Sequence, residues 1–177
     1  MGGLSMKNNQ VLEEVIEAIK QFRPVSKEII INTEEEFNLL LAYWIAGWLR
    51  RANIKATVEV EHKFEKVGEE SRTDILVKGP LNEKIAIEIK IVKTIQDAKN
   101  LLGEVQTDLG YFKDVIAVVI ETRKKYDYRW YESHLNSFGV IIKGRREKIK
   151  RKEGKKTVQK QRIILGPLKS RFVVKKM

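Results

Sequence analysis

The clearest hydrophobic pattern lies between residues 71 and 93. Two apolar runs, Ile75–Val77 and Ile85–Val92, are separated by the turn-forming residues Gly79-Pro80-Leu81-Asn82. Short runs joined by such a turn are typical of a β-hairpin, because each run has the length of a strand. This stretch is therefore predicted to form two neighbouring strands.

Two charged residues interrupt the second apolar run, and a third precedes the first run. Glu88 and Lys90 are two residues apart, so they share one face of the second strand, because side chains alternate between faces. Asp74 stands at the start of the first strand. The predicted pairing allows Asp74, Glu88 and Lys90 to converge. The simplest explanation is an ordinary ion pair on an exposed sheet, but burying charges within an apolar run is costly and favours a functional role.

The remaining pattern predicts four helices and further strands. The helices are expected over about 9–22, 33–51, 94–112 and 126–137. The second of them is apolar nearly all round and is expected to be well buried.

The further strands are expected at 28–32, 55–64, 114–120 and 140–143. Alternation in the strand 55–64 places Val58, Val60 and Phe64 on the same face. The continuous apolar run 114–120 suits a strand covered on both faces. A meander followed by a strand–helix–strand crossover predicts an α/β fold, a mixed β-sheet flanked by helices.

The composition limits the class of protein. The chain of 177 residues is long enough for one domain with its own core, and the absence of cysteine excludes disulfides and thiolate metal sites. The longest apolar stretch, 37–49, is shorter than the roughly 20 residues that span a membrane. No apolar run follows Met1 as in a signal peptide, so we expect a cytoplasmic protein without membrane partners.

The net charge of +11 is concentrated at one end. Residues 144–177 contain 14 Lys and Arg residues against two acids, and the rest is nearly neutral. We expect residues 1–143 to form the body and 144–177 a basic extension. Within it, 148–152 and 157–165 flank Glu153-Gly154-Lys155, which predicts a β-hairpin or a flexible arm. Such a charge distribution indicates a polyanionic partner.

The charged residues of the first hairpin resemble a known motif. Asp74, then thirteen intervening positions, then Glu88-Ile89-Lys90 is similar to the signature of the PD-(D/E)XK nuclease superfamily, whose fold is called restriction-endonuclease-like. Thr73 replaces the proline of that signature. The spacing alone is weakly specific, but the surrounding order of helices and strands also resembles the superfamily core, over about residues 33–143.

The resemblance implies a metal-dependent nuclease that hydrolyses phosphodiester bonds. Asp74, Glu88 and the backbone carbonyl of Ile89 would bind Mg²⁺ or Mn²⁺, and Lys90 would hold or deprotonate the attacking water and stabilise developing charge. These residue types suit the reaction, because Mg²⁺ prefers oxygen ligands and can activate water and neutralise phosphate oxygens.

The superfamily often adds two further side chains. One is an acid from the helix before the first strand; here Glu36 is nearest the apolar face, although capping of the helix by Thr33 and Glu36 is the favoured explanation. The other is a glutamine from the following helix. Gln106 is preferred for this role, and Glu104 takes its place if the register differs by two residues.

The basic extension is expected to hold the phosphates of DNA, more readily than those of RNA, without reading sequence. The candidate contacts are Arg145, Arg146, Lys148, Lys150, Arg151, Lys152, Lys155, Lys156, Lys160 and Arg162. Two alternatives share these features: a catalytically inactive nucleic-acid-binding protein on the same fold, and an RNA-directed nuclease. The resemblance is also compatible with a homodimer formed through the apolar helix 37–49.

Overall fold

The computed structural model of the protein describes residues 9–22, 29–66, 69–165 and 170–173. Within these ranges the helices are α1 (Gln10–Lys20), α2 (Glu34–Arg51), α3 (Ile95–Leu109) and α4 (Tyr128–His134). The strands are β1 (Ile29–Ile31), β2 (Thr57–Lys66), β3 (Glu69–Lys78), β4 (Lys84–Val92), β5 (Asp114–Glu121), β6 (Phe138–Lys143), β7 (Arg145–Glu153), β8 (Lys156–Leu165) and β9 (Ser170–Val173). None of the helices described is both long and apolar enough to cross a membrane.

The main sheet has the order β2-β3-β4-β5-β6-β9. Strands β2, β3 and β4 form an antiparallel meander, and β4, β5 and β6 run parallel to one another. Strand β9 is antiparallel to β6, and this pairing was not predicted. The turn between β3 and β4 contains Asn82 at φ 62°, a left-handed conformation that asparagine tolerates. The predicted α/β architecture with a mixed sheet is confirmed.

Two hydrophobic cores lie on opposite faces of this sheet. One packs α1 and α2 against residues such as Ile87 and Ile89, and the other packs α3 and α4 against residues such as Ala86 and Val119. Strand β5 is buried on both faces from Val115 onward, because neighbouring side chains enter different cores. This agrees with its continuous apolar sequence.

A second sheet, in the order β1-β8-β7, carries the basic residues. Strands β7 and β8 form a long antiparallel hairpin, and β1 pairs with the end of β8, from Ile29 opposite Leu165 to Ile31 opposite Ile163. Ile163 and Leu165 enter the α1–α2 core. The root of the hairpin is thus part of the folded body. The predicted strand 28–32 is observed as β1, and Glu28 lies outside the described residues.

Helix α2 is buried along one face, as predicted, but the other face of this apolar helix is exposed. Leu39, Leu40 and Tyr43 are exposed by 49%, 44% and 77%. The helix packs on the sheet along Leu41 and Ile45, and α1 covers one flank, where the Trp44 indole donates to the Ala18 carbonyl at 2.7 Å. No described element covers the remaining flank.

The predicted face of Phe64 was wrong. Val58 and Val60 pack against the α1–α2 core, whereas Phe64 packs on the other side of the sheet, with its ring 5.2 Å from that of Phe112. Glu61 lies between them with φ 53°. A left-handed residue interrupts the regular alternation of a strand, so Phe64 changes sides.

Candidate active site

Asp74 lies where strands β3 and β4 separate. Their regular pairing runs from Lys78 opposite Lys84 to Ile75 opposite Ile87. Beyond this point the Asp74 carboxylate takes over, and its Oδ2 accepts a hydrogen bond of 2.7 Å from the backbone N–H of Ile89. Burial raises the pKa of Asp74, although this hydrogen bond opposes the rise. The aspartate is therefore fixed to the strand segment that carries Glu88 and Lys90.

Glu88 is almost completely buried, with 4% of its surface exposed. It shares the α3 side of the sheet with Ala86 and faces Asp108, which is 1% exposed. Glu88 Oε1 and Asp108 Oδ2 have no hydrogen-bond partner among the described residues. Burial first, and then the neighbouring Asp108 carboxyl, raises the pKa of Glu88 to about 11. Without a cation, Glu88 is thus a neutral carboxylic acid at neutral pH.

Lys90 is surrounded by carboxylates. Its Nζ donates to Glu104 Oε1 at 3.0 Å and lies 3.8 Å from Glu34 Oε1. Partial burial opposes its positive charge, but the Glu104 hydrogen bond and the charges of Glu34, Glu104 and Asp74 outweigh this effect and raise the pKa of Lys90. Lys90 therefore remains protonated at neutral pH. We call Glu34, Asp74, Glu88, Lys90 and Glu104 the Lys90 cluster.

Glu34, rather than Glu36, reaches the cluster from helix α2. Its Oε2 accepts a hydrogen bond of 2.9 Å from the backbone N–H of Ile91. Glu36 instead accepts from the backbone N–H of Asn32 at 2.8 Å, and the Thr33 hydroxyl accepts from the Glu36 amide. Glu36 is therefore a capping residue, as the favoured explanation held. Burial raises the pKa of Glu34, although the Ile91 hydrogen bond opposes the rise.

Helix α3 contributes Glu104 and not Gln106. Glu104 contacts Lys90, whereas the Gln106 side chain is exposed to solvent. The buried face of α3 is formed by Leu101, Val105 and Asp108. Glu104 precedes Val105 and lies at the edge of this face toward Lys90, so the preference for Gln106 is corrected in favour of Glu104.

Two buried polar residues beside the cluster were missed as candidates. Thr73, noted only as a departure from the motif, donates from its hydroxyl to the Ile87 carbonyl at 3.3 Å and also contacts Asp108. Burial raises the pKa of Asp108. A signal for Asp108 exists in the sequence, because it follows Val105 by three residues and so falls on the apolar stripe of α3.

A cavity of about 300 Å³ opens over this cluster. Glu34 and Lys90 line it, whereas Asp74 and Glu88 do not. Lys93 and Asp97 border it on the body, and Gln161 and Ile163 of strand β8 form the facing wall. The basic hairpin therefore lies directly beside the Lys90 cluster, a relation that the sequence did not predict.

The donor set fits a hard divalent cation chemically. Carboxylates from several elements gather here, and Glu88 keeps a buried oxygen without a partner. Within the described ranges, no three His, Cys, Asp or Glu side chains form a ready metal site. Mg²⁺ often takes only one or two carboxylates and completes its shell with waters and substrate phosphates. The carboxylates of Asp74 and Glu88 meet that smaller requirement, and the roles of these residues and of the Ile89 carbonyl stay predictions.

Comparison with known proteins does not assign the chain to a family. No protein-family model matches the sequence, and no curated protein matches it significantly. A solved structure described as "Crystal Structure of Protein of Unknown Function AF1548" is similar, with 10% identity and a TM-score of 0.36. The alignment covers 52% of this chain, and the chain spans about half of that protein's length, 52%. A likeness at this TM-score carries no argument about fold or activity.

Proposed function

We propose that this protein is a metal-dependent nuclease that hydrolyses phosphodiester bonds in DNA, built on a restriction-endonuclease-like core of the PD-(D/E)XK type. The observation that supports the proposal is the Lys90 cluster. Three carboxylates, from α2, β3 and α3, lie around Lys90, and the Glu88 carboxyl of β4 contacts that of Asp74, close to a cavity that opens to solvent.

Burying several carboxylates close together destabilises the folded protein unless a bound cation compensates their charges. Burial raises the pKa values of Glu34, Asp74 and Glu88, which means that their ionised forms are disfavoured in the folded protein. One lysine does not neutralise this many acids. A divalent cation would stabilise the ionised forms of Asp74 and Glu88, and strongly shifted acids in a cleft are typical of functional sites.

The residues divide the chemistry between them. A bound Mg²⁺ or Mn²⁺ supplies an activated water and neutralises phosphate oxygens. Asp74 and Glu88 would hold the ion, with the Ile89 carbonyl as a further ligand. Because Lys90 remains protonated, it stabilises negative charge on the phosphate rather than acting as a base. Glu34 and Glu104 position Lys90 between them.

The basic hairpin supports DNA as the substrate. Two of its cations are neutralised, since Arg162 pairs with Glu147 and Lys160 pairs with Glu153. Seven others make no ion pair with any described residue: Arg146, Lys148, Lys150, Arg151, Lys152, Lys155 and Lys156. Arg146 and Lys148 lie opposite Ile163 and Gln161, which line the cavity, and the other five continue along the hairpin. Such a series of cations suits a phosphate backbone, which it would bind without reading bases.

The second candidate function is DNA binding without cleavage. It is favoured by the Lys90–Glu104 contact of 3.0 Å and by the lack of a ready three-ligand metal site among the described residues. In this case the cluster is a charge network that stabilises the C-terminal end of β4, and the basic hairpin alone binds DNA. Cleavage separates the two candidates, whereas binding does not.

A cleavage assay tests the proposal. Labelled single-stranded, duplex and branched DNA, and RNA of the same sequence, are incubated with Mg²⁺, Mn²⁺ or EDTA and the wild-type protein, Glu88→Ala or Lys90→Ala. We expect metal-dependent cutting of DNA that both substitutions abolish while binding is retained. Tight binding without cutting of any substrate supports the second candidate, and preferred cutting of RNA transfers the same chemistry to RNA. Cutting that survives both substitutions contradicts the assignment of the cluster.

A further inference from the structure

A second cavity, larger than the one over Lys90, lies between the hairpin and the body. It has a volume of about 550 Å³. Six cationic residues line it and no acidic residue does; they are Arg123, Lys124, Lys143, Arg145, Arg146 and Lys148. Two of these follow β5, one is the last residue of β6 and three belong to β7, so the positive charge surrounds the space from two sides.

The walls of this cavity are firmly built. The Thr122 hydroxyl and amide both donate to the Val92 carbonyl, at 2.7 and 3.0 Å, and the Gly144 amide donates to the Glu121 carbonyl at 2.9 Å. These bonds tie together the ends of β4, β5 and β6. A Cβ at Gly144 would lie 3.0 Å from Leu165 Cδ2 and 3.2 Å from Ile163 Cγ2, so the hairpin folds back closely against the body at this glycine.

One cation of the wall is held in place by a buried acid. The Arg123 guanidinium donates to both carboxylate oxygens of Glu121 at 2.9 Å, and Glu121 also accepts from the Tyr131 hydroxyl at 2.6 Å. Glu121 is 0% exposed and does not line the cavity. Arg123 is thus a fixed part of the wall.

Four of the other cations in the wall have no counter-charge among the described residues. Lys124, Lys143, Arg146 and Lys148 form no ion pair with a described residue. Like charges held together without counter-charges repel one another and attract anions from solution. The cavity therefore has the charge of an anion-binding pocket, and its volume of about 550 Å³ is large enough to admit a phosphate group with its sugar.

The pocket lies beside the Lys90 cluster. Gln161 lines both this pocket and the cavity that contains Glu34 and Lys90. Lys90 is opposite Val119 in the parallel pairing of β4 and β5, and Thr122 follows three residues later. At about 3.3 Å per residue and 4.8 Å between strands, the backbones at Lys90 and Thr122 are about 11 Å apart. A few nucleotides of one strand span such a distance, since phosphates advance about 3.4 Å each along B-DNA.

We propose that this pocket binds a backbone phosphate of the DNA strand a few nucleotides from the phosphate that is cut. The location of the cleaved phosphate rests on the proposed nuclease function. Binding of DNA by the pocket itself requires neither a metal ion nor cleavage. It positions the strand across Gln161, so that the neighbouring phosphodiester enters the cavity over Lys90.

Two charge-matched double variants test the pocket. Lys124→Glu with Lys143→Glu reverses two charges of the pocket. Lys84→Glu with Lys113→Glu reverses two exposed lysines at the opposite end of strands β4 and β5 and changes the net charge equally. Binding of a fluorescent DNA duplex to the full chain is measured in EDTA over a range of salt concentrations. We expect the pocket variant to lose at least about tenfold in affinity and to lower the salt dependence of log K by about 1, because the contact with one phosphate is lost.

The control variant should keep the wild-type salt dependence. Lys124→Ala with Lys143→Ala provides a milder form of the pocket variant if the charge reversals impair folding, and it should show the same loss of slope. Equal weakening by the pocket and control variants, with unchanged slopes, would overturn the proposal, since only overall charge would then matter. A different result separates the two proposals. If the wild type does not cut DNA in Mg²⁺ but the pocket variant still loses affinity and salt dependence in EDTA, the nuclease proposal is refuted and the phosphate pocket is supported.

Discussion

Asp74 Oδ2 accepts a hydrogen bond of 2.7 Å from the backbone N–H of Ile89, at the point where β3 and β4 stop pairing. The carboxylate thus replaces a strand-to-strand hydrogen bond. It also fixes the segment from Glu88 to Lys90, which carries the other two residues of the motif. One oxygen of Asp74 is occupied in this way, and the same carboxyl group also contacts Glu88.

Removal of the Asp74 carboxylate should affect stability and activity differently. Asp74→Ala leaves the Ile89 N–H without its partner, and we expect a loss of about 1–3 kcal/mol in the free energy of unfolding. Asp74→Asn keeps an acceptor and removes a disfavoured charge, so its stability in EDTA should equal or exceed that of the wild type. Both variants should lose metal-dependent cleavage. Denaturant unfolding checks the first two expectations, and equal destabilisation by Asn and Ala would contradict the role of this hydrogen bond.

The buried acid Glu88 predicts an unusual dependence of stability on pH. Its pKa is about 11 in the fold and near 4.5 when exposed, so between these values the folded protein binds one more proton than the unfolded chain. The stabilisation is complete below the lower value and is lost as the pH rises toward the higher one. As the pH rises between these two values, the titration of Glu88 should therefore decrease the free energy of unfolding by up to about 1.4 kcal/mol per pH unit.

Glu88→Gln removes this titration while preserving the shape of the side chain. Measured in EDTA between about pH 6 and 9, the free energy of unfolding of the variant should decline less steeply than that of the wild type. Addition of Mg²⁺ should stabilise the wild type more at high pH, because binding requires the ionised acid, and should leave the variant unchanged. Identical pH slopes for the two proteins would show that Glu88 is ionised in the fold.

The two acids at the start of α2 should differ in function. Glu34→Gln retains an acceptor for the Ile91 N–H but removes the charge beside Lys90, so we expect cleavage to fall by about tenfold or more with little change in stability. Glu36→Ala removes a capping interaction and should cost about 0.5–2 kcal/mol while leaving the rate per folded molecule unchanged. Cleavage rates and melting temperatures measured in parallel check both. The reverse pattern would restore Glu36 as the site residue.

The sequence predicted the elements that depend on local pattern. Alternation and the turn at Gly79-Pro80-Leu81-Asn82 predicted the β3–β4 hairpin, and the continuous apolar run predicted the doubly covered strand β5. The predicted pairing of these two strands also placed Asp74, Glu88 and Lys90 close together, and the structure has them in one region.

The sequence did not determine features that depend on long-range geometry. Helical periodicity identifies a face, but the choice between Glu34 and Glu36 depends on where the end of β4 meets the start of α2. The change of side at Phe64 follows from the left-handed backbone of Glu61, which nothing in the alternation indicates. Docking of β8 onto β1 joins residues more than a hundred positions apart, and it places the hairpin beside Lys90.

Two variants in helix α3 test whether Glu104 or Gln106 contributes to the active site. Glu104→Gln weakens the ion pair with Lys90, and we expect at least about a tenfold loss in cleavage rate because the lysine is less well positioned. Gln106→Ala alters an exposed side chain two residues away and should cleave at the wild-type rate. Rates at saturating DNA distinguish the two. A larger loss for Gln106→Ala would support the original preference for glutamine.

The single-turnover rate of DNA cleavage in Mg²⁺ tests whether the Lys90 cluster is the active site of a metal-dependent nuclease. It is measured for the wild type, Lys90→Ala and Glu88→Gln, with Lys84→Ala, at the far end of the same strand, as the control. We expect metal-dependent cleavage by the wild type and the control, and a loss of at least about 10²-fold in the two cluster variants. Their DNA affinity in EDTA should stay within about twofold of the wild type. Cleavage by Lys90→Ala and Glu88→Gln at the wild-type rate, or no cleavage by the wild type with Mg²⁺ or Mn²⁺, would contradict this assignment.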